Sequence, residues 1–137
     1  MQTPLVLIVA SSPFHLPLMG DLLEANDIRT VRVTHAATAL KACCVQQPTL
    51  VVLDLDLSEH EGCSLVQGLC TLGGSPIPVV TVGDRSQREM FDAILGMNNG
   101  LSVGGMVEKP IDTGVFPRRV LQEIRRHTES PGRVATV

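Results

Sequence analysis

Aromatic residues are nearly missing from this chain of 137 residues: it has no Trp and no Tyr, and Phe occurs only as Phe14, Phe91 and Phe116. Platforms on which nucleic-acid bases stack therefore have little to be built from. A basic excess is missing too. The net charge is −3, and binding a nucleic acid requires clustered cations to neutralise phosphates, so no nucleic-acid partner is expected. Cysteine is sparse, and Cys43, Cys44, Cys63 and Cys70 contain no C-x-x-C pair, which argues against a zinc site of that kind. They read as small buried hydrophobes of a reducing compartment, which predicts a cytoplasmic location. Long apolar runs are also lacking. Leu5 to Ala10 is too short to cross a membrane, and Met1-Gln2-Thr3-Pro4 lacks the basic flank of a signal peptide. No Gly-rich loop follows that first run, so dinucleotide binding has little support. His15, His35 and His127 have no Cys, Asp or His at ligand spacing, and no transition-metal site is expected. His60 lies between Glu59 and Glu61 and reads as part of a solvated acidic loop.

What is present is a regular alternation. Leu5 to Val9 and Thr49 to Leu53 are continuous apolar or β-branched runs, the pattern of strands buried on both faces. Thr30 to Thr34 alternates and predicts a half-exposed strand, Pro78 to Val82 a fourth strand, and Val103 to Val107 a weak fifth loosened by Gly104 and Gly105. Between them, apolar residues keep helical spacing: Leu16, Met19, Leu22 and Leu23; Ala36, Ala39, Leu40 and Cys43; Leu65, Val66, Leu69 and Leu72; Met90, Phe91, Ile94 and Leu95; Phe116, Val120 and Ile124. Ser12-Pro13 resembles an N-cap with Pro at the first position. Pro17, one turn on, predicts a helix that starts late, near Leu16, or has a distorted first turn. Five strands alternating with five helices imply βαβ units and a parallel sheet covered on both faces, within one domain spanning residues 1–128. Ser130-Pro131-Gly132 ends the pattern, and residues 129–137 are predicted to be a disordered tail.

The chain's candidate site follows the third strand. Asp54-Leu55-Asp56 interrupts the apolar run and leads into a polar turn closed by Gly62. Carboxylates at the carboxyl end of a buried parallel strand lie where open α/β sheets bind ligands. The plainer reading is that Asp54 and Asp56 only mark a strand end and a turn.

This stretch resembles the phospho-acceptor strand of two-component receiver domains: an apolar strand, Asp, three residues, usually Pro, three residues, then Gly. Asp54 takes the acceptor position, Ser58 stands where Pro is usual, and Gly62 is the closing Gly. Glu108-Lys109-Pro110 resembles the family's second mark, a strand ending in Lys-Pro. The resemblance covers Leu5 to about Arg126. It implies a flavodoxin-like (βα)5 doubly wound parallel five-stranded sheet in the order 2-1-3-4-5, with Ser11 and Asp54 on neighbouring strand ends. It also implies a phospho-acceptor at Asp54, a charge partner at Lys109 and a Mg²⁺ site.

Three features depart from the family pattern: the acidic pair, the switch hydroxyl and the switch aromatic. Ala10 and Ser11 occupy the two acidic positions after the first strand. Mg²⁺ wants carboxylate oxygens, so binding by Asp54, Asp56 and Ser11 is expected to be weak. Gly83 falls at the switch hydroxyl, with Thr81 two residues early, and Met106 falls at the switch aromatic. The expectation is therefore a degenerate, pseudo-receiver-like signalling module, not an enzyme, that works through a protein partner with impaired or absent aspartyl phosphorylation. That partner would be a histidine kinase, another signalling protein, or a second copy docked through the last strand and last two helices. The alternatives are a receiver still phosphorylated on Asp54 by a histidine kinase, and a small-molecule or flavin binder on the same fold.

Overall fold

A computed structural model describes residues 3–72, 77–95 and 103–128. Its elements are β1 (Leu5–Val9), α1 (His15–Glu24), β2 (Arg29–Val33), α2 (Ala36–Gln46), β3 (Leu50–Asp54), α3 (Glu59–Thr71), β4 (Val79–Gly83), α4 (Arg85–Leu95), β5 (Val103–Glu108) and α5 (Val115–Thr128). All five strands are parallel in one sheet ordered β2-β1-β3-β4-β5. This is the expected flavodoxin-like order. Residues 129–137, expected to be a tail, lie outside the described residues. Among the described residues no helix is long and apolar enough to cross a membrane.

The unbroken apolar runs have a direct cause. Every residue of β1, β3 and β4 is buried, because successive side chains point to opposite faces and both faces carry helices. Val6, Ile8, Leu50, Val52, Val80 and Val82 pack on the side of Met19, Leu23, Phe116, Val120 and Ile124. Leu7, Val9, Val51 and Leu53 pack on the other side with Ala36, Ala39, Cys43, Leu65, Val66 and Phe91. The edge strand β2 is mostly half-buried, as its alternation predicts. Between β4 and β5 the register shifts after Val79, which pairs with Val103 while Val80 pairs with Gly105. Gly104 is the additional residue of this bulge, the irregularity that the two glycines foreshadow.

Two helix starts are set by serine hydroxyls. In α1, the Ser12 hydroxyl oxygen accepts from the backbone N–H groups of Phe14 (3.2 Å) and His15 (3.1 Å), while the Ser12 carbonyl accepts from Leu16. Pro17 has no N–H to give to the Pro13 carbonyl, so residues 13 and 14 form a turn and regular helix begins at His15. The expected polar turn through Gly62, by contrast, is wrong. Helix α3 already starts at Glu59, because Ser58 accepts from the Glu61 N–H at 3.2 Å and caps it. Gly62 donates to the Ser58 carbonyl within that first turn. Glu61 is not part of a solvated loop either: its carboxylate accepts from the Ala36 N–H at 2.6 Å and so caps α2.

Candidate functional site

Asp54 is the last residue of the central strand, paired with Val82 of β4, and is fully buried. Its Oδ1 accepts from the Asp56 N–H at 3.0 Å and from Lys109 Nζ at 2.7 Å. Its Oδ2 has no hydrogen-bond partner. The same ammonium group bonds Asp56 Oδ2, so one lysine clamps both carboxylates. Lys109 is positioned by the sheet itself: its N–H continues the β4–β5 pairing to the Gly83 carbonyl at 3.1 Å. Placement therefore follows from strand order, since β4 lies between β3 and β5 and brings both strand ends to one rim.

The electrostatics follow from this geometry. The hydrogen bond from Lys109, against a partial burial penalty and helped by Gln87, holds Asp56 below the usual aspartate range. Burial works against the charge of Lys109, but hydrogen bonds to Asp54 and Asp56 outweigh it and raise its pKa. Both shifts favour the charged forms. The pair is thus a standing part of the fold.

Two residues that the sequence reading did not assign to the site belong to it. His15, at the start of α1, places Nδ1 3.7 Å from Asp54 Oδ2 and 4.0 Å from Asp56 Oδ2. Along the chain it has no Cys, Asp or His at ligand spacing. The fold supplies two. Gln87 closes the other side: its amide donates to Asp56 Oδ1 at 2.5 Å. At the same time Gln87 Oε1 accepts from the Asp84 N–H at 2.9 Å, and Asp84 Oδ1 accepts from the Gln87 N–H at 2.8 Å. That reciprocal pair is a capping box of the form D-x-x-Q, a signal readable from sequence.

The remaining expected positions are placed as follows. A Cβ on Gly83 would stand 2.6 Å from Gln87 Oε1 and 3.0 Å from the Leu55 Cβ, so the missing side chain is what admits Gln87. Thr81 is buried and pairs with Leu53 and Met106 along the sheet. Its hydroxyl donates to the Gly105 carbonyl at 3.5 Å and is directed to β5, not to Asp54. Met106 is half-buried on β5. Ala10 is buried in the core beyond β1, and Ser11 is exposed. The donor atoms that converge are those of His15, Asp54 and Asp56, so His15 stands in the cluster where Ser11 was expected. Of the cysteines, Cys43 is buried, and burial followed by the neighbouring Cys44 pushes its thiol up to about 11. It is unreactive packing material.

Comparison with known proteins identifies the family. The chain matches the response regulator receiver domain over residues 6–130. It is 27% identical over 124 residues to the transcriptional regulatory protein KdpE of Mycobacterium tuberculosis, covering 90% of this chain and 52% of the relative. The KDP operon transcriptional regulatory protein KdpE of Escherichia coli is 25% identical over 123 residues, with the same coverage. The chain thus spans about half the length of these relatives. Among solved structures, a sensor protein from Polaromonas sp. JS666 superposes with a TM-score of 0.75 at 23% identity, covering 91% of this chain and 98% of the other. The chemotaxis response regulator CheY4 of Vibrio cholerae gives 0.72 at 13% identity, covering 90% and 99%.

Receiver domains bind Mg²⁺ at this acidic pocket. The unpartnered Asp54 Oδ2 is suited to a cation. The donor set as a whole is not suited to Mg²⁺, which demands oxygen ligands in near-ideal octahedral geometry. Here the third convergent atom is an imidazole nitrogen, and neither Ala10 nor Ser11 brings a carboxylate. Parallel topology, the Asp54–Lys109 pair at the strand ends and the match along nearly the whole chain lead to one conclusion: the chain belongs to the response regulator receiver domain family of two-component signalling.

Proposed function

We propose that this receiver domain works mainly by binding a protein partner, with phosphorylation of Asp54 impaired. The observation that carries the reading is the state of Asp54 itself. One oxygen is held by Lys109 and the Asp56 amide, the other is buried opposite His15, and Ala10 and Ser11 add no carboxylate for a metal. Phosphorylation would add roughly two negative charges beside the Asp56 carboxylate, with Lys109 as the ammonium group that touches both aspartates. The switch is altered as well. Gly83 has no hydroxyl to bond a phosphoryl group, and Gln87 fills the space its side chain would need.

The partner would be a histidine kinase or another signalling protein, in a cytoplasmic setting. Its docking face would include β5, α4 and α5, and a second copy of the chain is one form such a partner could take. The basic last turn of α5, with Arg125, Arg126 and His127, favours a partner that presents acidic side chains. Phosphorylation by a kinase is the second reading, favoured by the retained Asp54–Lys109 pair. The two separate on incubation with acetyl phosphate and Mg²⁺ followed by intact mass measurement. The expected outcome is no accumulating phosphoprotein. A rapid mass gain that disappears in Asp54→Asn would overturn the proposal and establish the second reading.

A further inference from the structure

We infer that His15, Asp54 and Asp56 form a cation site that prefers Zn²⁺ to Mg²⁺, with His15 as the ligand that sets the preference. This goes beyond the reading of impaired phosphorylation and holds whether or not Asp54 is ever modified.

One donor atom from each residue lies within 4.8 Å of the others. The distances from His15 Nδ1 to the two carboxylates, 3.7 and 4.0 Å, are too long for hydrogen bonds. They are close to what a shared ion needs, because ligands about 2.0–2.1 Å from a tetrahedral Zn²⁺ stand roughly 3.4 Å apart. The two histidine–carboxylate distances would shorten by roughly 0.3 and 0.6 Å to reach that spacing. A second observation points the same way independently. Asp54 Oδ2 and His15 Nδ1 are both buried atoms without a hydrogen-bond partner, and Asp54 has no exposed surface. Leaving a buried carboxylate oxygen and a buried imidazole nitrogen unsatisfied is costly. An ion placed between them satisfies both at once.

The chain positions these groups without help from a ligand. The Ser12 hydroxyl holds the His15 N–H, which anchors the histidine at the start of α1. Lys109 and the Asp56 N–H occupy Oδ1 of Asp54 and leave Oδ2 open. Lys109 also touches Asp56 Oδ2, so metal binding would make it share or yield that oxygen. Imidazole nitrogen suits Zn²⁺, whereas Mg²⁺ selects oxygen and keeps much of its water. Three protein ligands with room for a water is a coordination that Zn²⁺ adopts readily.

The test is calorimetric titration of the full chain with ZnCl₂ and, separately, MgCl₂, repeated on His15→Ala and His15→Gln. Wild type is expected to bind one Zn²⁺ at least about ten-fold more tightly than Mg²⁺, and both variants to lose about ten-fold or more in Zn²⁺ affinity with little change for Mg²⁺. Substitution with Co²⁺ should give visible absorption without a thiolate charge-transfer band, since no cysteine is among the ligands. Thermal melts in chelator confirm that each variant is folded, and His15→Gln preserves bulk if His15→Ala does not fold. Equal affinity for the two metals, Zn²⁺ binding unchanged by both substitutions, or a strong thiolate band would each overturn the inference. Failure here leaves the phosphorylation assay untouched, because that assay reads mass at Asp54 and not metal preference.

Discussion

Two halves of one rim are built on different chemistry. On the β3–β5 half, Asp54 and Lys109 are directly paired, with the ammonium group bridging to Asp56. On the β1–β4 half, Ala10 and Ser11 bring no carboxylate and Gly83 brings no side chain. His15 faces the carboxylates from α1, and Gln87 binds Asp56 from α4. The contrast separates two demands. A buried carboxylate needs a countercharge simply for the fold to be stable, with or without phosphate. Metal ligands and switch hydroxyls serve only the chemistry, so they can be exchanged while the fold persists.

The largest expected effect comes from breaking the charge-paired half. Lys109→Met leaves Asp54 fully buried without its cation, and removing one partner of a buried pair costs about 3 kcal/mol. Urea unfolding at neutral pH should show that loss, and Asp54→Asn combined with Lys109→Met should recover most of it. A single-variant loss under about 1 kcal/mol, the scale of an exposed pair, would mean that the clamp is not structural.

Adding a carboxylate to the other half should have a somewhat smaller effect that depends on conditions. Ser11→Asp adds a carboxylate near Asp54, where like charges repel without a cation. The variant should melt slightly lower than wild type in chelator. With Mg²⁺ at a hundred times its dissociation constant it should gain about 2.7 kcal/mol, because only the folded state binds. Ala10→Asp should give less benefit, since Ala10 is buried in the core. Identical melts for Ser11→Asp with chelator and with Mg²⁺ would show that an added oxygen at this position cannot reach the metal.

Gly83→Ser tests the filled space. Its Cβ would meet Gln87 Oε1 at 2.6 Å, and the flexible amide would have to leave, breaking both the α4 capping box and the bond to Asp56. The expected cost is about 1 kcal/mol. In the wild type, beryllofluoride should cause only local chemical-shift changes, because a ligand shifts an equilibrium only through contacts that differ between states. Large shifts across α4 and α5 in the wild-type protein would show that Gln87 already couples the site to those helices.

The smallest effect is a pH dependence at that same cap. The Asp84 pKa is lowered, first by the backbone hydrogen bond from Gln87 and then by the Ser86 hydroxyl. A folded-state pKa below the unfolded value contributes stability above the ordinary value of 3.8 that is lost as pH falls through the lowered one. Asp84→Asn keeps a neutral cap and removes the charge. Its melting temperature should lie slightly below wild type near pH 6, and the gap should close in strong acid. A gap that persists unchanged in acid would assign the effect to something other than ionisation.

Much of the architecture was legible from local pattern. Leu5 to Val9 and Leu50 to Leu53 could be read as central strands because burial on both faces leaves no room for a polar residue. The misreading of Gly62 had a local cause as well: S-x-x-E at Ser58 and Glu61 marks a helix start, but the preceding run of Asp, Leu and Ser suggested a longer turn. His15 carried no such signal, since its partners are reached across the sheet.

From residue order alone came the strand–helix alternation, the identities of Asp54 and Lys109, and the absence of acids at Ala10 and Ser11. These are properties of short windows, where periodicity and residue type are sufficient. Tertiary structure decided that Lys109 clamps two carboxylates, that His15 faces the open oxygen of Asp54, and that Gln87 occupies the space left by Gly83. Those outcomes depend on distances between different strand ends and helix starts. Such distances are set only when parallel pairing places β1, β3, β4 and β5 side by side and the helices pack on both faces.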